Sequence, residues 1–218
     1  MAEGEPPDTS KLTESKRRWA QQGKFLTGRH ARPEEERLPP GQHLVKNWPV
    51  LDLGRQPDVS TARWKLEVRG MVARPMTLDW AGLMSLPQVK ARSDIHCVTT
   101  WSRYDNAWAG VATTDLLAAV EPRDEAVAVM LHSYDGYTTN VLLSDFAAPD
   151  AMIVHGWDGK PLAREHGGPV RALIPHLYFW KSAKWLAAIE VIGADRPGFW
   201  EANGYHLRGD PWSEERYS

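Results

Sequence analysis

The 218 residues predict a strand-dominated, mixed α+β single domain. Three observations carry this. Short apolar runs with strand-like alternation recur along most of the chain, bounded by Gly, Pro and Asp-Gly turns. The helical segments are few and brief. Strands do not alternate with long helices, as a doubly wound parallel sheet would require.

Residues 1–40 are rich in Glu, Arg, Lys and Pro and poor in apolar side chains, which predicts an extended arm before a domain spanning 41–218. Structure is expected to begin near "GQHLVKNWPVLDLG". "RWKLEVRGMV" alternates Trp64, Leu66 and Val68 with Lys65, Glu67 and Arg69, the pattern of a half-buried strand. "PMTLDWAGLMSLP" predicts a short helix between Pro75 and Pro87, capped by Thr77 or Asp79. "QVKARSDIHCV" reads as a strand leading into Cys97. "ATTDLLAAVEP" predicts a second helix, starting near Thr113 or Thr114 and stopping before Pro122. "EAVAVMLHSYDGYTTNVLL" predicts two strands joined around Tyr134-Asp135-Gly136. "AMIVHGWDGKPL" predicts a strand and an Asp158-Gly159 turn. "GGPVRALIP" and "KWLAAIEVIG" are two further strands, with "HLYFWKSA" between them.

Composition excludes several classes. A net charge of −2 offers no footprint for nucleic acid or an anionic membrane surface. One cysteine forms no intrachain disulfide and no thiolate-rich zinc site. Arg17-Arg18 is followed by the polar run Ala20 to Lys24, so it lacks the apolar stretch of a twin-arginine signal. With no run long enough to span a membrane, the expected location is cytoplasmic. Eleven tryptophans are several times the usual number. Core packing accounts for them most simply, and an indole-walled pocket is the alternative.

Three segments bring chemistry-bearing residues together. In "SDIHCVTTWSRYDNAWAG" the single thiol, Cys97, sits among His96, Trp101, Arg103 and Trp108. It reads as a small buried hydrophobe, a nucleophile, or a ligand to a soft metal whose other donors come from an organic cofactor. Adjacent strand residues point to opposite faces, so His96 is poorly placed as its base. "REHGGPVRALIPHLYFWKSAKWL" gathers His166, Arg171, Lys181, Ser182 and Lys184 around Gly167-Gly168-Pro169. That set suits either a phosphate or a solvated face. "HLVKNWPVLDLG" places Lys46 and Asn47 before an extended Trp48.

Together these segments resemble the molybdopterin domain of the sulfite oxidase family, nearest the small prokaryotic branch with the methionine-sulfoxide reductase catalytic subunit. The resemblance runs from about Gly41 to about Gly193 and rests on "CVTTWS…W-x-G", "HGGPVRALIP" and "WKSAKWL" in order. It implies a molybdenum-molybdopterin cofactor, with Cys97 as the thiolate ligand to the metal. His166 and Arg171 would hold the pterin or its phosphate. Ser182, Ala183 and Lys184 would line the cofactor, with Asn47 and Ser133 as further contacts. The family's active-site tyrosine falls at His155, and Lys46 stands where an arginine is expected. Arg103 is a candidate replacement for that cation. With no haem-attachment pattern and only about 25 residues after Gly193, the expectation is a monomer. It would transfer an oxygen atom on a sulfoxide, an N-oxide or sulfite and exchange electrons with a separate carrier. Sulfite turnover would rise as pH falls and His155 becomes cationic. A metal-free cysteine-nucleophile enzyme and a non-catalytic binding module are the competing readings.

Overall fold

The computed structural model describes residues 33–218. The Arg17-Arg18 pair and most of the expected arm lie outside these residues. Two sheets carry the fold. The first is centred on β5 (Trp101–Ala112). β4 (Gln88–His96) runs antiparallel along one edge of β5, from Gln88 opposite Val111 to His96 opposite Ser102. The other edge is shared by the short parallel β1 (His43–Leu44) and the antiparallel β8 (Met152–Trp157). β10 (Arg171–Leu173) and the two-residue β9 (Lys160–Pro161) pair with β8.

The second sheet has the order β3 (Met76–Asp79), β2 (Lys65–Gly70), β11 (Leu186–Ile192), β6 (Ala128–Ser133), β7 (Thr138–Leu142). Only β2 and β11 are parallel within it. Trp64, Leu66 and Val68 are buried while Lys65 and Glu67 are exposed, as the alternation requires.

The main core lies between the sheets. It joins Leu66, Val68, Val129, Leu131, Ile189 and Val191 of the second sheet to Val111, Ile153 and Ala172 of the first. A second cluster lies on the far face of the first sheet and contains Ile95, Cys97, Trp101, Trp108, Met152, Val154 and Leu173. β8 therefore feeds both clusters in alternation, with Ile153 on one side and Met152 and Val154 on the other.

The helices depart from the expectation in detail. Met76–Asp79 is a strand, because it pairs with β2 from Val68 opposite Met76 to Lys65 opposite Asp79. Helix α1 (Trp80–Ser85) begins only after it, with the Asp79 side chain accepting from the Gly82 N–H at 2.8 Å. Helix α2 (Thr113–Val120) has no side-chain cap. Its Thr113 hydroxyl instead donates to the carbonyls of Phe146 and Ala151, tying α2 to α3 (Leu143–Phe146) and its exit loop. Glu121, in the left-handed region at φ 52°, ends α2 one residue before Pro122. A fourth short helix, α4 (Phe199–Ala202), follows β11.

Residues 33–40 are anchored rather than free. Arg37 forms a two-pronged pair with Asp94 at 2.5 and 2.7 Å, reaches Asp105 at 2.8 Å, and lies 4.0 Å over the Tyr104 ring. Among the described residues no helix is long and apolar enough to cross a membrane.

Candidate active site

Six chain segments surround a cavity of about 310 Å³. Trp48 to Leu53 form one wall. The turn after β4 contributes Val98, Thr99 and Trp101. The β6–β7 hairpin contributes Ser133, Asp135 and Tyr137. His166 and Arg171 come from the loop into β10, and Phe179 to Trp185 from the run before β11. Trp200 and Tyr205 close the last side.

The basic end is built first by Gly167. At φ 100° it adopts a conformation natural to glycine, and a Cβ there would sit 2.9 Å from the Lys184 Cβ. The 164–168 turn therefore rests directly on Lys184. Arg171 is 2% exposed, at the start of β10. Its guanidinium donates to the carbonyls of His166 (2.8 Å), Ser182 (2.6 Å) and Ala172 (3.2 Å), and lies 4.2 Å over the Phe179 ring. Among the described residues it forms no ion pair with a carboxylate. Burial pulls its pKa down, yet a guanidinium stays charged at neutral pH. Lys184 Nζ donates to the Glu165 carbonyl at 2.8 Å, and its pKa falls to about 8 through burial and then the Arg171 charge. Burial, followed by Arg171, holds His166 at about 4, so its imidazole is neutral at pH 7.

The thiol end is built by a tight turn. Cys97 N–H donates to the Trp101 carbonyl at 2.8 Å and Thr100 N–H returns to the Cys97 carbonyl at 3.0 Å. Gln42 Nε2 also donates to that carbonyl, at 3.0 Å. Cys97 is 6% exposed and lies just behind the cavity lining, with its Sγ 3.1 Å from the Thr99 hydroxyl. Burial raises its pKa against the lowering effect of Thr99. His96 is no base for it, because its ring is hydrogen-bonded to Ser102 at 2.8 Å and packed on Trp212.

Of the residues singled out from the sequence, Ser133, His166, Arg171, Ser182 and Lys184 are brought together on the cavity wall, with Cys97 beside it. Others are not. Lys46 and Asn47 are exposed, and the next two residues, Trp48 and Pro49, form the wall instead. Ala183 is a core residue, 1% exposed, whose carbonyl accepts from Ala172 N–H at 2.9 Å. Arg103 is committed elsewhere. It bonds Asn106, reaches Asp158 at 3.4 Å, and covers the Trp157 ring at 4.7 Å. His155 shares its strand face with Ile153, directed to the main core rather than the cavity. It meets Gln88 at 2.9 Å and the edge of Trp80 at 5.6 Å. Burial also lowers its pKa. Lys181 is a buried structural cation, 2.6 Å from Glu201 and 2.8 Å from Asn140 Oδ1.

The cavity also holds residues the sequence reading left out. Tyr137 and Tyr205 both present phenols to it, whereas the resemblance sought one at His155. Tyr137 donates to the Trp180 carbonyl at 2.8 Å. The surplus of tryptophan was the available signal, since Trp48, Trp101, Trp180, Trp185 and Trp200 all line the site. Trp64, Trp108, Trp180 and Trp185 spend their indole N–H on protein oxygens at 2.8–3.0 Å. Trp101 Nε1 and Ser133 Oγ, both buried at the cavity, have no such partner among the described residues.

This fold and site define a cofactor-dependent redox domain. Residues 53–200 match the family model described as an oxidoreductase molybdopterin binding domain, and the chain belongs to that family. It is an enzyme, a molybdopterin-dependent oxidoreductase, and its cofactor is molybdenum-molybdopterin. It is 45% identical over 183 residues to the oxidoreductase YuiH of Bacillus subtilis, covering 84% of this chain and 92% of that one. It is 26% identical over 153 residues to the protein-methionine-sulfoxide reductase catalytic subunit MsrP of Ralstonia nicotianae, covering 63% of this chain and 46% of that one. The chain spans about half the length of the MsrP relatives. The sulfane dehydrogenase SoxCD from Paracoccus pantotrophus shares the fold, with a TM-score of 0.59 at 16% identity over 64% of this chain and 40% of that one.

The cavity fits this cofactor on three counts. A buried guanidinium without an acid suits a phosphate. Buried donors without partners suit a polar ring system. A thiol just behind the lining, beside Val98 and Thr99, suits a soft metal.

Proposed function

We propose that this enzyme reduces a small neutral oxide, a sulfoxide or an N-oxide, with electrons taken from a separate carrier. The observation that supports this is that, among the described residues, no cationic side chain lines the cavity at its thiol end. Thr99, Trp101 and Tyr205 offer hydroxyl, indole and phenol donors there, while the two cations expected to clamp an oxyanion, Lys46 and Arg103, stand outside the cavity.

When bound, molybdenum supplies two-electron oxygen-atom-transfer chemistry. Cys97 would be its protein ligand. Arg171 and Lys184 would hold the terminal phosphate, with Ser182 and Ser133 as further polar contacts. The stacked rings of Trp48 and His166 would wall the pterin and exclude water. Neutral donors bind the oxygen of a sulfoxide without the desolvation that an oxyanion demands. The domain would act as a monomer in the cytoplasm, a setting compatible with its single free cysteine.

The cysteine-nucleophile reading has less support, since the buried thiol has a raised pKa and no histidine in hydrogen-bond contact. The test is steady-state turnover of the loaded enzyme, with reduced viologen against a dialkyl sulfoxide and an amine N-oxide, and with ferricyanide against sulfite. The expected result is faster reduction of a neutral oxide than oxidation of sulfite. Faster sulfite turnover would overturn the proposal.

A further inference from the structure

Residues 203–218 lie beyond the family-matched span and fold back onto the Cys97 turn. Tyr205 and Tyr217 form an antiparallel bridge. His206 N–H donates to the Arg216 carbonyl at 3.2 Å, and Ser218 N–H to the Gly204 carbonyl at 3.1 Å. This places Arg216 behind the turn. Its Nη1 donates to the Val98 carbonyl at 2.7 Å and its Nη2 to the Pro40 carbonyl at 3.2 Å. Its Cζ lies 5.0 Å from the Tyr178 ring centroid.

The side chain is partly buried, and among the described residues it forms no ion pair with a carboxylate. Neutral carbonyls and a π face orient the guanidinium, and the nearby Glu214 carboxylate, which faces Gly41 beside it, makes no direct ion pair with it. In a partly buried setting that charge acts over a longer range than in water. The guanidinium is bonded to the carbonyl of the residue that directly follows Cys97, so the charge stands next to the thiol turn.

We propose that Arg216 is a positioning residue of the metal site: it pins the Val98 carbonyl, and so the Cys97 turn, and its positive charge raises the reduction potential of the metal that Cys97 holds. The inference rests on the reading of Cys97 as the ligand. A fixed positive charge favours the reduced, less positive state of a nearby metal, and outer contacts of this kind tune metal sites generally.

The test is an EPR-monitored redox titration of the holoenzyme, with molybdenum content and thermal midpoint measured alongside. Arg216→Gln should shift the molybdenum potentials downward, while Arg216→Lys, which keeps the charge, should stay close to wild type. A loaded Arg216→Gln with wild-type potentials would overturn the inference. Should Arg216→Gln fail to load, a loaded Arg216→Lys displaced well below wild type would overturn the charge role equally. Cys97→Ser holoenzyme showing the wild-type EPR spectrum would instead overturn the ligand reading, so the two failures are distinct.

Discussion

The indole of Trp48 lies flat against the imidazole of His166, with ring centroids 3.8 Å apart and planes 5° from parallel. The stack joins the segment before the family-matched span to the loop that carries Arg171. It also excludes water from one side of His166, which keeps the ring neutral. Trp157 and Trp108 meet Trp48 edge-on at 4.8 and 5.5 Å, so the stack is braced from behind.

Trp48→Ala should therefore destabilise the protein by about 3–5 kcal/mol, the usual cost of emptying a large aromatic site. It should also lower cofactor content, because the wall beside His166 is lost. Denaturant unfolding and pterin fluorescence per mole of protein measure the two effects. Trp48→Phe should recover most of both.

Arg171→Ala should reduce cofactor occupancy, at a cost of roughly 2–5 kcal/mol in cofactor binding for a desolvated charge pair. Arg171→Lys should fall between alanine and wild type. A lysine keeps the charge but lacks the planar fork that now spans the His166 and Ser182 carbonyls. Lys184→Ala should act in the same direction more weakly, its amine being nearer the surface.

Cys97→Ser should abolish turnover with little loss of fold. The serine is nearly isosteric in a turn held by a backbone bond to Trp101 and by the Gln42 side-chain amide, and an alkoxide is a poor ligand for a soft metal. Thermal midpoint, metal content and activity measured on one preparation check this. Full activity in the variant would exclude Cys97 as the ligand.

His155→Ala should leave both turnover and its pH profile unchanged, since the side chain meets Gln88 and Trp80 outside the cavity. Its expected effect is on stability alone, about 1 kcal/mol for a half-buried contact. A steepened or flattened pH–rate profile would place His155 at the reacting centre after all.

Stability should itself depend on pH through His176, which lies between Asp145 (3.2 Å) and Asp150 (3.1 Å). Burial opposes its charge, but the two carboxylates outweigh burial and raise its pKa from 6.5 to about 9. Burial likewise opposes the Asp145 charge, and His176 and Arg208 outweigh it, lowering that pKa from 3.8 to about 2. The His176 contribution is complete below pH 6.5 and is lost as pH rises toward 9. The Asp145 contribution is complete above 3.8 and is lost as pH falls toward 2. Urea midpoints should thus plateau between these limits and decline on either side, by on the order of 2–3 kcal/mol for the coupled cluster. His176→Gln should flatten the alkaline limb.

The local patterns that survive without neighbours were legible in the chain alone. β2 shows its period of two, the Asp158-Gly159 turn its hairpin, and Cys97 its isolation among aromatic and basic segments. The basic loop at the cavity was legible too, because Gly167, Arg171 and Lys184 lie within one short run. What only the tertiary structure decided was membership of the cavity. A strand's side-chain period is two, so a single step in register moves a residue to the other face. In "AMIVHGW" every flanking residue is apolar, and nothing local says that His155 faces the core with Ile153. Lys46 and Asn47 were drawn in by the resemblance, and in this strandless segment no periodicity fixes the register, so only the structure shows that Trp48 and Pro49 form the wall. Ala183 was drawn in by its neighbours Ser182 and Lys184, although its own side chain is packed in the core. Met76–Asp79 became a strand because β2 offered a free edge, which no helix propensity anticipates. Tyr205 and Arg216 reach the Cys97 turn through a closure of more than 100 residues along the chain. Such contacts carry no periodic signal, and only packing of the closing segment against the folded sheet brings them to the site.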